Sequence, residues 1–252
     1  MTSESLVIAG RFCGPPGSGN GGYVCGRVAA YLPGAASVRL NAPPPLETEL
    51  QVVKADSGVQ LLHGLKVIAE AKTVTLDLAP PACPSFAAAE AAAKSYPGFT
   101  RHPFPTCFVC GTQRAPGDGL RVFPGPLASQ SMIAAPWTPD ASLGHGDHSV
   151  RVEYLWAALD CPGAFAVMPV AAGRALVLGE LCVRVDASVK AGEPCIITAW
   201  PIQMDGRKRT AGSALHSASG RVLAVGRATW IEVPLSAFGG RDSGDTDSSV
   251  IR

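Results

Sequence analysis

Apolar and polar residues alternate along most of this chain, and helix-like spacing interrupts the alternation at two places. Residues 6–13, Leu-Val-Ile-Ala-Gly-Arg-Phe-Cys, read as a strand. After a loop rich in Gly and Pro, Tyr23, Val24, Val28, Ala29 and Leu32 recur at helical spacing, and Pro33-Gly34 stops them. Asn20 stands where an N-cap belongs, because its side-chain oxygen can accept an orphan amide. Strands are then predicted near 36–42, 48–55, 59–63 and 66–78, with a turn at Asp56-Ser57-Gly58. Residues 79–106 are rich in Pro and Ala. They read as a connection that holds one short helix from Phe86 to Lys94. Strands are predicted again near 119–123 and 130–136. A second helix follows over 149–167, with an apolar face through Val152, Leu155, Trp156, Leu159 and Phe165. Pro162 should kink or end that helix, because it lacks an amide hydrogen. Four more strands close the pattern, near 175–188, 193–203, 207–217 and 221–234. The Gly-, Ser- and Asp-rich stretch from Gly239 to Arg252 is expected to be disordered, as part of a tail over 237–252.

The order helix, then antiparallel strands, occurs twice. Val38-Arg39-Leu40 leads through Pro44 to Leu46-Glu47-Thr48-Glu49, and Val183-Arg184-Val185 leads through Val189 to Ala191-Gly192-Glu193-Pro194. Each copy then carries a Gly followed by an apolar strand, Gly64 to Ala71 in the first and Gly220 to Arg227 in the second. A repeat of more than a hundred residues is a duplicated unit, not a solenoid. The predicted division is 1–100, 101–236 and the tail. Each unit is expected to wrap an antiparallel sheet around one helix, since a one-sided apolar sheet needs a cover.

Composition narrows the function classes. Formal net charge is +1 and no basic block exists, which argues against nucleic acid. No apolar run approaches the roughly 20 residues of a membrane span. The start, Met1-Thr2-Ser3-Glu4-Ser5, has no basic n-region, so a cytoplasmic location is expected. The eight cysteines are then expected to be free thiols. Cys107-Phe108-Val109-Cys110-Gly111 looks like half of a zinc knuckle. With no second such pair in the chain, the expectation is no metal and no cofactor. His102, His145 and His148 are the histidines near enough in sequence to complete such a site. The loop from Gly14 to Gly22 lacks the Lys and the βαβ context of a phosphate cradle.

Asn20-Gly21-Gly22 opening one helix, Trp156-Ala157-Ala158-Leu159-Asp160-Cys161-Pro162-Gly163 on the other, and the repeated strands together resemble the hotdog superfamily. The resemblance is to a double-hotdog, thioesterase-like protein and spans about residues 6–234. It implies an α+β fold of two hotdog units, each a curved antiparallel sheet around a central helix. It also implies hydrolysis of an acyl thioester, with CoA as the expected carrier. In such enzymes the amides at a helix N-terminus stabilise the oxyanion, and a carboxylate on the facing helix directs water. Carried over residue by residue, Asn20, Gly21 and Gly22 supply the first half and Asp160 the second. Asn20 departs from the pattern, where His is common. Counting nine residues from Asn20 reaches Ala29, which has no acid. Counting nine back from Asp160 reaches Arg151, which has no Gly-Gly. One composite site is therefore expected, and its reciprocal should be dead. Glu153 and Tyr23 are the candidate substrate-binding positions. Glu153 and Glu180 are reserve carboxylates, each with a plainer reading as a solvated or sheet-edge residue. Thr210 and Ser213 are candidate hydroxyls. Two rivals remain open: a hotdog hydratase or dehydratase, and a non-catalytic acyl-CoA or lipid-binding module. Homodimerisation is open as well.

Overall fold

A computed structural model describes residues 4–127 and 131–238. The strands are β1 (Glu4–Val7), β2 (Ala36–Leu40), β3 (Glu49–Ala55), β4 (Gly58–His63), β5 (Lys66–Thr73), β6 (Gly125–Pro126), β7 (Ile133–Trp137), β8 (Gly144–His145), β9 (Ser149–Val150), β10 (Arg174–Val185), β11 (Cys195–Asp205), β12 (Lys208–Ser217) and β13 (Val222–Pro234). The α-helices are α1 (Gly21–Ala29), α2 (Phe86–Ala93) and α3 (Val152–Ala166).

Eleven strands form one sheet in the order β1-β3-β4-β5-β2-β10-β13-β12-β11-β7-β6, while β8 and β9 pair separately. The middle of the sheet is the antiparallel seam of β2 and β10, with Val38 opposite Leu181 and Ala36 opposite Val183. The same order of strands runs outward on both sides of that seam, β5, β4, β3 on one and β13, β12, β11 on the other. A closed seam of this kind hides two edges that would otherwise expose unpaired amides.

The two long helices pack on each other and on the sheet. On α3, every residue from Glu153 to Gly163 is buried. A helix apolar on all sides belongs in the interior, and α3 lies between α1 and the strands β10 to β13. Helix α1 buries Tyr23, Val24, Cys25 and Val28. Ala89 and Ala92 of α2 are buried too, Ala89 in a small cluster with Ala134 and Ile196, so the stretch read as a connection is built into the fold.

Four local expectations need correction. The strand expected over 6–13 ends at Val7, and Gly10–Phe12 turns into a 3-10 helix, which brings the Phe12 ring onto Tyr23 with centroids 4.0 Å apart. Residues 119–123 form no strand. Arg121 has φ 54, and the flanking amides of Leu120 and Val122 bond instead to the carbonyls of Phe108 and Val109. Helix α3 runs through Pro162 to Ala166 as one element, because its surroundings hold a turn that proline alone would break. On its apolar face Val152 is exposed, whereas Leu155, Trp156, Leu159 and Phe165 are buried. The expected tail from Gly239 onward lies outside the described residues. Among the described residues, no helix is long and apolar enough to cross a membrane.

Candidate functional site

The N-terminus of α1 is built by its cap. Asn20 lies in extended backbone, and its Oδ1 accepts the Tyr23 amide at 2.9 Å. That use of Oδ1 fixes the side-chain amide, so Nδ2 points at α3. There it donates to Asp160 Oδ2 at 3.1 Å. The Gly22 amide donates to the same oxygen at 2.8 Å. Two residues 140 apart in sequence are therefore hydrogen-bonded to each other.

Gly22 is what allows this contact. A Cβ added there would lie 2.4 Å from Asp160 Cβ, 2.9 Å from the Trp156 carbonyl oxygen and 3.0 Å from Ala157 Cα. The missing side chain thus admits α3. Its amide is also engaged by Asp160. The Gly21 amide has no recorded acceptor among the described residues, as expected of the first orphan donor of a helix.

Asp160 is 2 % exposed, and among the described residues its Oδ1 has no partner. Burial pushes its carboxyl up to about 7, against the stabilising amide of Gly22. A buried carboxylate with one oxygen held and one free needs a compensating donor. It lines a cavity of about 290 Å³, together with Asn20, Gly21 and a largely apolar wall that includes Phe104, Leu178 and Trp230. Leu178 stands at a register shift in β10, where its pairing with β13 slips before Glu180. A bulge of this kind re-aims side chains beside a site.

The other sequence candidates fall elsewhere. Tyr23 and Glu153 do not line the cavity. Tyr23 stacks on Phe12 and its hydroxyl accepts from Arg27. Glu153 packs its Cα where a Cβ on Gly26 would come within 2.6 Å, which is the reciprocal helix crossing. At that crossing Arg151 caps α3 without a side-chain hydrogen bond, and Ala29 is buried. The Ser213 hydroxyl donates to the Leu159 carbonyl at 2.7 Å and so supports α3 from the sheet side. Thr210 lines a different, polar depression with Glu180, whose Oε1 accepts from Ser37 at 2.6 Å. Glu180 is on an inner strand, not an edge.

Two features escaped the sequence reading. His102 lines the same cavity as Asn20 and Asp160. Its Nδ1 accepts the Phe104 amide at 2.9 Å, Nε2 is buried with no partner among the described residues, and burial pushes its ring below the usual imidazole range. Cys107 and Cys110 are joined by Cys161 of α3, all three buried. Asn20 Nδ2 also lies 3.8 Å from Cys107 Sγ and 3.7 Å from Cys161 Sγ. The Cys107 thiol is held well below the usual thiol range, first by hydrogen bonds from Cys110 and Cys161 and against burial, while the thiols of Cys110 and Cys161 are pushed up. The neighbour of Asp160 in the sequence is the signal that could have revealed this cluster.

No protein-family model matches the chain, and no curated protein does either. Two solved structures are similar over nearly the full length. The tesB protein of Mycobacterium avium subsp. paratuberculosis is 12% identical with a TM-score of 0.59, covering 92% of this chain and 93% of that one. A Novosphingobium aromaticivorans protein named for thioesterase activity is 15% identical with a TM-score of 0.56, covering 91% and 94%. At such identities the likeness shows the fold alone, and it is the hotdog fold that the resemblance implied.

Proposed function

We propose that this chain hydrolyses an acyl thioester, with acyl-CoA as the substrate class, at one composite site between two hotdog units spanning 1–100 and 101–236. The observation that carries the reading is Asp160. It is buried at the cavity wall, anchored through Oδ2 by Asn20 and the Gly22 amide, and free at Oδ1. The equal strand order on both sides of the β2–β10 seam supports the two-unit frame, and the names of the two similar structures agree with thioester chemistry.

In this reading the apolar wall takes the acyl chain, and the thioester carbonyl oxygen points at the Gly21 amide. Asp160 Oδ1 accepts a proton from water as that water attacks the carbonyl carbon. The oxyanion that forms faces the positive end of α1. Collapse of the tetrahedral adduct breaks the C–S bond, and the proton held by Asp160 returns to the departing thiolate. Asn20 and the Gly22 amide position Asp160 and do not touch the substrate.

One observation favours a binding module instead. The Gly22 amide already serves Asp160, so a single helix amide is left for an oxyanion. The deciding experiment presents saturated acyl-CoA esters of graded length and 2-enoyl-CoA esters, and follows free thiol and hydration separately. Thiol release supports the hydrolase. Hydration of the enoyl esters without thiol release would move the assignment to a hydratase. Saturable binding without turnover would leave the binding module.

A further inference from the structure

We propose that Cys107, Cys110 and Cys161 form a binding site for a thiophilic divalent ion of the zinc class, with its fourth coordination position facing the cavity. Sequence spacing argued against zinc because a second cysteine pair is absent. The fold supplies a third thiol from α3, which local spacing cannot reveal.

Four observations support the site. The three Sγ atoms lie within 4.8 Å of one another, and all three residues are buried. Cys107 Sγ and Cys161 Sγ are 3.7 Å apart. A tetrahedral ion with bonds of about 2.3 Å to sulfur holds its sulfurs about 3.8 Å apart, whereas a disulfide needs about 2.05 Å. All eight cysteines are free thiols.

The turn also has the form a thiolate ligand needs. The Gly111 amide closes it onto the Cys107 carbonyl at 2.9 Å. A Cβ at Gly111 would lie 2.5 Å from that carbonyl oxygen, so only glycine fits. A donor aimed at a ligating sulfur offsets its negative charge once a metal deprotonates it. Asn20 Nδ2 adds a donor towards Cys107 and Cys161.

His102 is not the fourth ligand in this arrangement. Its Nδ1 accepts from Phe104, which leaves the ring proton on Nε2, a donor. All three cysteines line the cavity, so the remaining position opens onto it and suits water or a ligand atom. Ion binding exchanges three thiol protons for one divalent cation, with the protons released to solvent.

The site stands independently of the hydrolase reading, and its test reads metal, not turnover. The full chain is reduced, stripped with chelator and titrated with zinc or cobalt(II) under anaerobic conditions. The expected result is one ion per chain, with cobalt giving thiolate charge-transfer absorption and the visible bands of a tetrahedral ion. Cys110→Ser should abolish that spectrum, while Cys195→Ala, a buried cysteine outside the cluster, should keep it. Circular dichroism checks that each variant is folded. If Cys110→Ser fails to fold, the wild-type titration decides alone. Wild-type protein that takes up no ion above background, with eight thiols titratable in denaturant, would overturn the proposal. A Cys107–Cys161 disulfide in freshly reduced protein would overturn it as well.

Discussion

Gly22→Ala tests the contact on which the site depends. The new methyl would stand 2.4 Å from Asp160 Cβ, 2.9 Å from the Trp156 carbonyl oxygen and 3.0 Å from Ala157 Cα. None of these atoms can escape by changing a rotamer, since all belong to the backbone or first carbon of α3. Ordinary contact near 3.5–4 Å requires the helices to part by about 1 Å. The Gly22–Asp160 hydrogen bond, now 2.8 Å, then stretches beyond useful length. Overpacking costs about 1–3 kcal/mol and loss of a hydrogen bond to a charged group about 1.5–3 kcal/mol. The two share one displacement, so the expected destabilisation is on the order of 3–4 kcal/mol. Urea unfolding followed by fluorescence measures it, and initial rates of thiol release measure the accompanying loss of activity. A Gly22→Ala protein with the wild-type midpoint and the wild-type rate would mean that α1 and α3 are not in such close contact.

Arg151→Ala alters the reciprocal helix start, where no acid faces the cap, and thioester hydrolysis should stay within about twofold of wild type, as for a residue outside the chemistry. Glu232→Gln removes the shared charge between Arg174 and Arg209, each 2.6 Å from one carboxylate oxygen. Chemical unfolding should show a loss on the order of 2 kcal/mol, less than for a fully buried pair because Arg174 is part-exposed. Burial pushes His216 below its ordinary 6.5, while its Nε2 meets Thr198 Oγ1 at 3.1 Å. A depressed folded value leaves stability unaffected above 6.5 and reduces it as pH falls below, since only the unfolded chain takes up the proton. His216→Gln should therefore flatten the fall in melting temperature below about pH 6.5, and an unchanged slope would count against the burial argument.

Much of this architecture was legible because its signals are local. Alternation located β2 to β5 and β10 to β13 to within a few residues, and Asn20 before two glycines marked the start of α1. The hotdog resemblance set Asp160 against that start, and Asp160 accepts hydrogen bonds from Asn20 Nδ2 and the Gly22 amide. What stayed hidden is tertiary. The burial of α3 carries a helix through Pro162, which sequence rules would break. Phe12 leaves its expected strand to stack on Tyr23. The nature of Gly22 as a helix-crossing contact, and the joining of Cys161 to Cys107 and Cys110, both depend on how α3 docks, and no spacing along the chain encodes it. Tyr23 and Glu153 were misplaced for the same reason: they face the helix seam and the aromatic cluster, not the cavity.

In the proposed hydrolysis, Asp160 performs the chemistry at a single composite site. The most direct measurement is steady-state thiol release from the best acyl-CoA ester by wild type and by Asp160→Asn, with the unfolding midpoint of each recorded. Asn can keep the anchoring oxygen beside Asn20 and the Gly22 amide, so the fold should hold. The rate should fall by a factor of about 10² or more, the scale of losing a general base. A folded Asp160→Asn protein that hydrolyses the ester at the wild-type rate would contradict the account.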